Sequence, residues 1–187
     1  MEEKSELSGD YIAGFIDGEG CFSLNFRRDV RHERKNKPVY FQWKARFEIC
    51  LKIDDINLLK KIKNSLGCGN IYKIKKGKYK DEQVLYAVVK IEDLNDKIVP
   101  FFRKHKLHGK KKEDFNLWSE AVEIILKYKR RSINAKKGKR GFIKTIWSKK
   151  DFDRLIEIQE LMQAYKAKRP QGHKWILEAK SIVGMLD

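Results

Sequence analysis

Cysteine is scarce in this sequence. The three residues Cys21, Cys50 and Cys68 are an odd number and share no C-x-x-C spacing. Such a set supplies neither a disulfide framework nor a zinc knuckle, and it is the usage expected of a reducing intracellular compartment, whether cytoplasm, nucleoid or organelle. Long apolar runs are also missing: none approaches the ~20 residues that a membrane-spanning helix needs. The opening Met1-Glu2-Glu3-Lys4-Ser5-Glu6 is acidic and polar, and reads as neither a secretory signal nor a typical transit peptide. The chain holds no Walker A loop, no Gly-x-Ser-x-Gly elbow and no dinucleotide fingerprint, so nucleotide-driven and serine-hydrolase chemistry is not expected, nor is a small-molecule substrate. His105-x-x-His108 has no third ligand nearby in sequence and reads as a surface pair.

Acid is in short supply relative to base. Among 187 residues, 43 Lys and Arg stand against 26 Asp and Glu, a formal net charge of +17. Charged residues make up 37% of the chain, against an ordinary share of about 25%. From Ile124 to Lys150 there is no acidic residue at all. Lys and Arg displace condensed counterions from phosphates, so the expected partner is a nucleic acid and not a membrane. Because Ile133, Phe142, Ile143, Ile146 and Trp147 interleave with the charges, residues 124–150 are expected to form a loop ordered by apolar anchoring and phosphate contacts.

An apolar content of 41% is enough for a core. Small and apolar residues recur at helical spacing over 7–17, with Ser8 or Asp10 as cap, and a turn is expected at Gly18-Glu19-Gly20. Phe22, Leu24 and Phe26 then alternate with Ser23, Asn25 and Arg27 as a strand, and Arg28–Lys37 reads as a charged loop. From Val39 to Ile53 every odd position is apolar, the signature of a half-buried antiparallel strand. A helix over about 54–66 ends at Gly67-Cys68-Gly69. A hairpin follows, with strands near 70–76 and 84–91. Helices are expected from Leu94 to His105 and from about Lys111. Two amphipathic helices, around Phe152–Tyr165 and Trp175–Leu186, close the chain. Hairpin pairs separated by helices make an α+β fold with an antiparallel or mixed sheet covered on one face.

The segment Ile12-Ala13-Gly14-Phe15-Ile16-Asp17-Gly18-Glu19-Gly20 resembles the LAGLIDADG motif, and the element order around it is the context that motif requires. The resemblance covers roughly residues 7–128. It implies an αββαββα homing-endonuclease-like fold with additional C-terminal helices: residues 1–128 form the endonuclease core, and 129–187 form a basic loop and helices of the same domain. It implies a site-specific homing endonuclease that hydrolyses both strands of a long pseudo-palindromic DNA site. The motif occurs once, so the resemblance implies a homodimer, with Tyr11, Ala13, Gly14 and Asp17 at the interface.

Glu19 is similar to the family's acidic metal ligand, with the Gly18 carbonyl as a second ligand for Mg²⁺. Mn²⁺ is expected to substitute, and Ca²⁺ to support binding without cleavage. The family's active-site lysine falls on Lys111, or on Lys110 with a one-residue change of register. The solvent-positioning Gln of some relatives falls at Leu51, leaving Glu48, Gln42 or water alone for that role.

The polar strand faces are expected to read double-stranded DNA through Ser23, Asn25, Arg27, Arg28, Gln42, Lys44, Arg46, Glu48, Lys73 and Lys75, with Lys136, Lys137, Lys139 and Arg140 on phosphates. The alternative is a non-cleaving maturase or DNA-binding regulator on the same fold, which keeps RNA binding open. A ribosome-associated structural protein is a third reading, suggested by charge alone. Met1 and the short acidic lead-in are expected of a free-standing intron-encoded reading frame.

Overall fold

The computed structural model describes residues 7–30, 32–33, 35–37, 39–74, 82–135, 147–163 and 175–176, with side chains omitted at 130–135. Helix α1 (Gly9–Glu19) leads directly into β1 (Gly20–Val30). β2 (Val39–Lys52), a short 3-10 turn, α2 (Ile56–Leu66), β3 (Asn70–Ile74) and β4 (Gln83–Val88) follow. A helical run made of α3 (Ile91–Asp93), a π turn (Leu94–Ile98) and α4 (Val99–Lys104) precedes the long α5 (Lys111–Ala135) and then α6 (Lys149–Gln163). The strands lie in the order β1-β2-β4-β3, and β4 is antiparallel to both β2 and β3. This is the α+β, αββαββα arrangement expected from the sequence.

Several boundaries differ from expectation: β4 ends at Val88, short of residue 91, and the helical run begins at Ile91 and not at Leu94. The helix of the motif includes Gly18 and Glu19, so no separate turn stands there. Arg28, Asp29 and Val30 extend β1 and do not belong to the following loop. Helix α5 continues to Ala135, so the first part of the acid-free stretch is helical. Lys and Arg are good helix formers, and a charge run marks a solvated surface and not a coil.

Packing divides the chain into two units: Met1–Ser23 with Arg46–Ser119, and Leu24–Ala45 with Glu120–Asp187. In the first, Phe22 is the hub. Its ring lies 5.2 Å from Phe47, 5.5 Å from Phe102, 5.4 Å from Phe115 and 5.0 Å from Trp118. Aromatic pairs at these separations add about 0.5–1.5 kcal/mol each beyond burial. The Trp118 indole N–H is satisfied by the Ser23 carbonyl at 3.2 Å. Gly67 ends α2 with φ +64°, a left-handed conformation that glycine adopts without cost.

In the second unit, Phe26 and Trp43 pack on Phe152 of α6, with ring separations of 5.6 and 6.0 Å. The buried Gln159 donates to the Leu24 carbonyl at 3.1 Å. Arg154 forks onto Glu120 with two 2.7 Å bonds, which hold the Glu120 carboxyl below its ordinary pKa. No helix among the described residues is long and apolar enough to cross a membrane.

Candidate active site and nucleic-acid interface

The site is built outward from the end of α1. Ser8 caps the helix by accepting the Tyr11 N–H at 3.2 Å. At the other end the Gly20 N–H donates to the Ile16 carbonyl. A Cβ at Gly20 would lie 2.4 Å from Ile16 Cγ2 and 2.9 Å from the Ile16 carbonyl oxygen. Only glycine lets the helix pass straight into β1, which leaves Glu19, the last helical residue, exposed to solvent.

Ile12, Ala13 and Ile16 bury the inner face of α1. The outer face carries Tyr11, 49% exposed, and Gly14 and Gly18, where an added Cβ would meet nothing within 4 Å. Ala13, expected at a dimer interface, is instead 2% exposed and belongs to the chain's own core. Helical geometry turns position 13 by about 100° from its neighbour 14, so the two small residues face different ways.

Asp17, also expected at that interface, is turned toward the segment before α5. Its Oδ2 accepts the His108 N–H at 2.7 Å, and a Cβ on Gly109 would lie 3.2 Å from Oδ1. That Oδ1 is buried without a hydrogen-bond partner among the described residues. His105 forms a 2.7 Å hydrogen bond with Asp10 near the start of the same helix. Lys111 Nζ donates to the carbonyls of Asp17 and Gly18, at 2.7 Å each. A cation on the last carbonyls of a helix is opposite in sign to the negative end of its dipole. The Gly18 carbonyl, expected as a metal ligand, thus already has one lone pair engaged. Lys110 is exposed, and its carbonyl accepts the Glu113 N–H at 3.3 Å.

Glu19 opens onto a cleft of about 400 Å³ that Cys50, Leu51, Lys52, Asp55 and Gln83 help to line. The β2–β4 register sets Gln83 opposite Lys52 and Leu51 opposite the buried Val84. The Cys50 thiol donates to Gln83 Oε1 at 3.2 Å. Burial, and then the charge of Glu48, push that thiol's pKa up, so it stays protonated at neutral pH. Lys52, Asp55 and Gln83 were not anticipated from the sequence. Gln83 comes from the strand paired with β2, and no spacing within one segment could signal it.

Along β1 and β2 the alternation holds. Phe22, Leu24, Phe26, Trp43, Ala45 and Phe47 are buried, and Ser23, Asn25, Gln42, Lys44, Arg46 and Glu48 are half-buried on the opposite side, with Arg27 exposed. Two of the expected DNA-contacting residues change place. Arg28 shares the parity of Phe26, and its guanidinium lies 5.2 Å from the ring centre of Trp175, so it leaves the polar face. Lys73 is exposed, but its register partner is the buried Val84, so it stands on the opposite face of β3 from the polar strand faces. The residue on the outer side is Tyr72, 48% exposed. A shift of one residue in a strand reverses every side chain.

Arg46 and Glu48 form an ion pair at 2.6 Å. Gln42 and Lys44 both reach Asp29. Lys75, Lys136, Lys137, Lys139 and Arg140 lie outside the described residues.

Residues 12–122 match the family described as LAGLIDADG endonuclease. A stretch of 116 residues, 62% of this chain, is 32% identical to the "Probable intron-encoded endonuclease 3" of Neurospora crassa, of which it spans 20%. Among solved structures, the I-SmaMI LAGLIDADG homing endonuclease bound to cleaved DNA superposes with a TM-score of 0.59 at 22% identity, covering 86% of this chain and 45% of that one. The homing endonuclease I-TnaI superposes with a TM-score of 0.62 at 24% identity, covering 92% and 97%. The chain therefore spans about a fifth of that curated relative, and nearly all of I-TnaI.

Proposed function

This chain belongs to the LAGLIDADG endonuclease family, and from that premise we propose that it is a site-specific homing endonuclease which pairs with a second copy and cleaves both strands of duplex DNA. The observation that carries the reading is the placement of Glu19. It stands exposed at the end of α1, open to a cleft of mixed polar and apolar lining, beside the two backbone carbonyls that Lys111 grips.

Donor chemistry supports a hard divalent cation. Glu19 and Asp55 offer carboxylate oxygens and Gln83 an amide oxygen on one cleft. Among the described residues no three His, Cys, Asp or Glu converge as a closed cage. That suits Mg²⁺, which takes one or two carboxylates and completes its shell with water and substrate phosphate. Glu19 would hold the ion, together with its counterpart from a second copy. The ion would activate water and offset charge developing on the phosphate. Lys111 holds the helix end that presents Glu19 and places a positive charge beside the scissile phosphate. Gln83 and Asp55 orient solvent in the cleft.

Pairing through α1 is supported by its outer face. Gly14 and Gly18 leave open space on a helix whose inner side is already buried, so another helix can approach the backbone closely. On binding, the basic, polar sides of β1 and β2 enter the major groove, which is wide enough for a two-stranded ribbon.

The test is cleavage. A duplex is selected from a random library by binding in Ca²⁺, then incubated with Mg²⁺ and either the wild type or Glu19→Gln. Double-strand cleavage by the wild type alone is the expected result. Tight, selective binding without cleavage by either protein would overturn the nuclease reading in favour of a maturase or regulator.

A further inference from the structure

Within the segments 24–30 and 39–45, on strands otherwise furnished with Asn25, Arg27, Arg28, Gln42 and Lys44, there is a single acid, Asp29. It has the parity of Asn25 and Arg27, so it stands on the polar side of β1. Its side chain is 35% exposed, and that of Lys44, 3.4 Å away, is 38% exposed. The amide nitrogen of Gln42 donates to the same carboxylate oxygen, Oδ2, that Lys44 reaches. One carboxylate thus gathers two neighbouring side chains of β2 into a hydrogen-bonded group at the surface.

A negative charge on this face opposes the partner proposed above. The protein carries a net +17, and a carboxylate brought toward phosphates weakens binding to every duplex alike. As an element of general affinity Asp29 is therefore unfavourable. It is useful only where the edge it meets can donate a hydrogen bond. In the major groove those donors are the exocyclic amines of cytosine and adenine. Guanine O6 and N7 and thymine O4 are acceptors, and a carboxylate repels them. The same oxygen directs the Gln42 amide nitrogen inward, so the side-chain carbonyl of Gln42 is also turned to act as an acceptor. Lys44 has part of its charge neutralised, which reduces its pull on phosphates at large.

We propose that Asp29 is a specificity-determining residue: together with Gln42, which it orients, it selects a base that presents an exocyclic amine in the major groove, cytosine by preference, and rejects guanine and thymine at that position. Asp29 acts by discrimination and not by adding affinity, since its cost falls on every sequence and its benefit on one. The inference rests on the DNA-binding reading of the strands.

The experiment uses the full chain and a random duplex library, with binding in Ca²⁺ and sequencing of bound and unbound pools for the wild type, Asp29→Asn and Asp29→Ala. Asparagine keeps the shape and removes the charge, and it can donate as well as accept. The wild type is expected to prefer cytosine at one position of each half-site. Asp29→Asn is expected to reduce that preference by about 5-fold or more, to leave the other positions unchanged, and to bind non-cognate duplex more tightly than the wild type. Asp29→Ala should lose the preference at the same position, since it also frees Gln42 from the orientation Asp29 imposes.

Selective binding by the wild type with an identical base profile in both variants would overturn the role of Asp29 while leaving the DNA reading intact. An absence of sequence-selective duplex binding by the wild type would overturn both.

Discussion

Lys111 Nζ lies 2.7 Å from the carbonyl oxygen of Gly18, with α5 reaching back across more than ninety residues of sequence to the end of the first helix. The bond ties a lysine at the start of one helix to the residue before the exposed Glu19. The lysine holds the helix end, and the proposed function gives it a second role, as a positive charge near the phosphate, that experiment can separate from the first.

Lys111→Met should leave the carbonyls of Asp17 and Gly18 without their cation and lower stability by about 0.5–1 kcal/mol. Cleavage should fall far more than that loss explains, while binding of the cognate duplex in Ca²⁺ changes little. Lys111→Arg should restore stability more fully than cleavage. Urea denaturation read beside single-turnover cleavage checks this, and equal losses in both would reduce Lys111 to a structural role.

Gln83 should matter for turnover and not for the fold. It lines the cleft and accepts from Cys50, and the cleft is open enough to admit water in its place. For Gln83→Ala a cleavage rate reduced by roughly 10- to 100-fold is expected, with unchanged affinity in Ca²⁺. An unchanged rate would remove Gln83 from the site.

Gly14 separates folding from pairing. The space beyond it is open, so Gly14→Ala should raise the stability of the isolated chain by about 1 kcal/mol through helix propensity. Gly14→Leu should fold equally well but sediment as a monomer, because its side chain would hold two helices apart. A dimer that survives Gly14→Leu would mean that the outer face of α1 is not the contact.

Asp151 gives stability a pH dependence. Burial works to raise its pKa, but hydrogen bonds from Lys127 and Tyr128, at 2.7 Å each, prevail and hold it below the usual carboxylate value. A folded pKa below the unfolded one stabilises the protein above the unfolded value of about 3.9, and that contribution is lost as pH falls through the folded pKa. Asp151→Asn should cost about 1 kcal/mol at pH 7 and flatten the decline in stability on acidification below pH ~4. Denaturant midpoints measured from pH 7 down to pH 3 decide it.

What could be read in advance follows from where the signal resides. The alternation from Val39 to Lys52 lies within one segment, and every odd residue from Trp43 to Ile49 is indeed buried. β3 carries no such pattern over its five residues, Asn70–Ile74, and its facing was decided by its pairing with β4. For that reason Tyr72 shares the face of Gln83 and Leu85, while Lys73, also exposed, stands on the other face. Charge near a strand end reads as a loop, and Asp29 falls in the charged stretch Arg28–Lys37. Its place on β1 is visible only through the bonds it receives from β2.

The sequence alone pointed to a polyanion as partner, through a net charge of +17, and it determined the order of helices and strands, through apolar periodicities that are local and additive. It also pointed to where chemistry should be sought, because the motif ends in Gly18-Glu19-Gly20 with one carboxylate between two glycines. The tertiary structure alone decided which lysine reaches the helix end, which residues join Glu19 at the cleft and which side of each short strand faces out. Those outcomes depend on register between segments distant in the chain. A single step of register costs little in local propensity and changes every contact the strand makes.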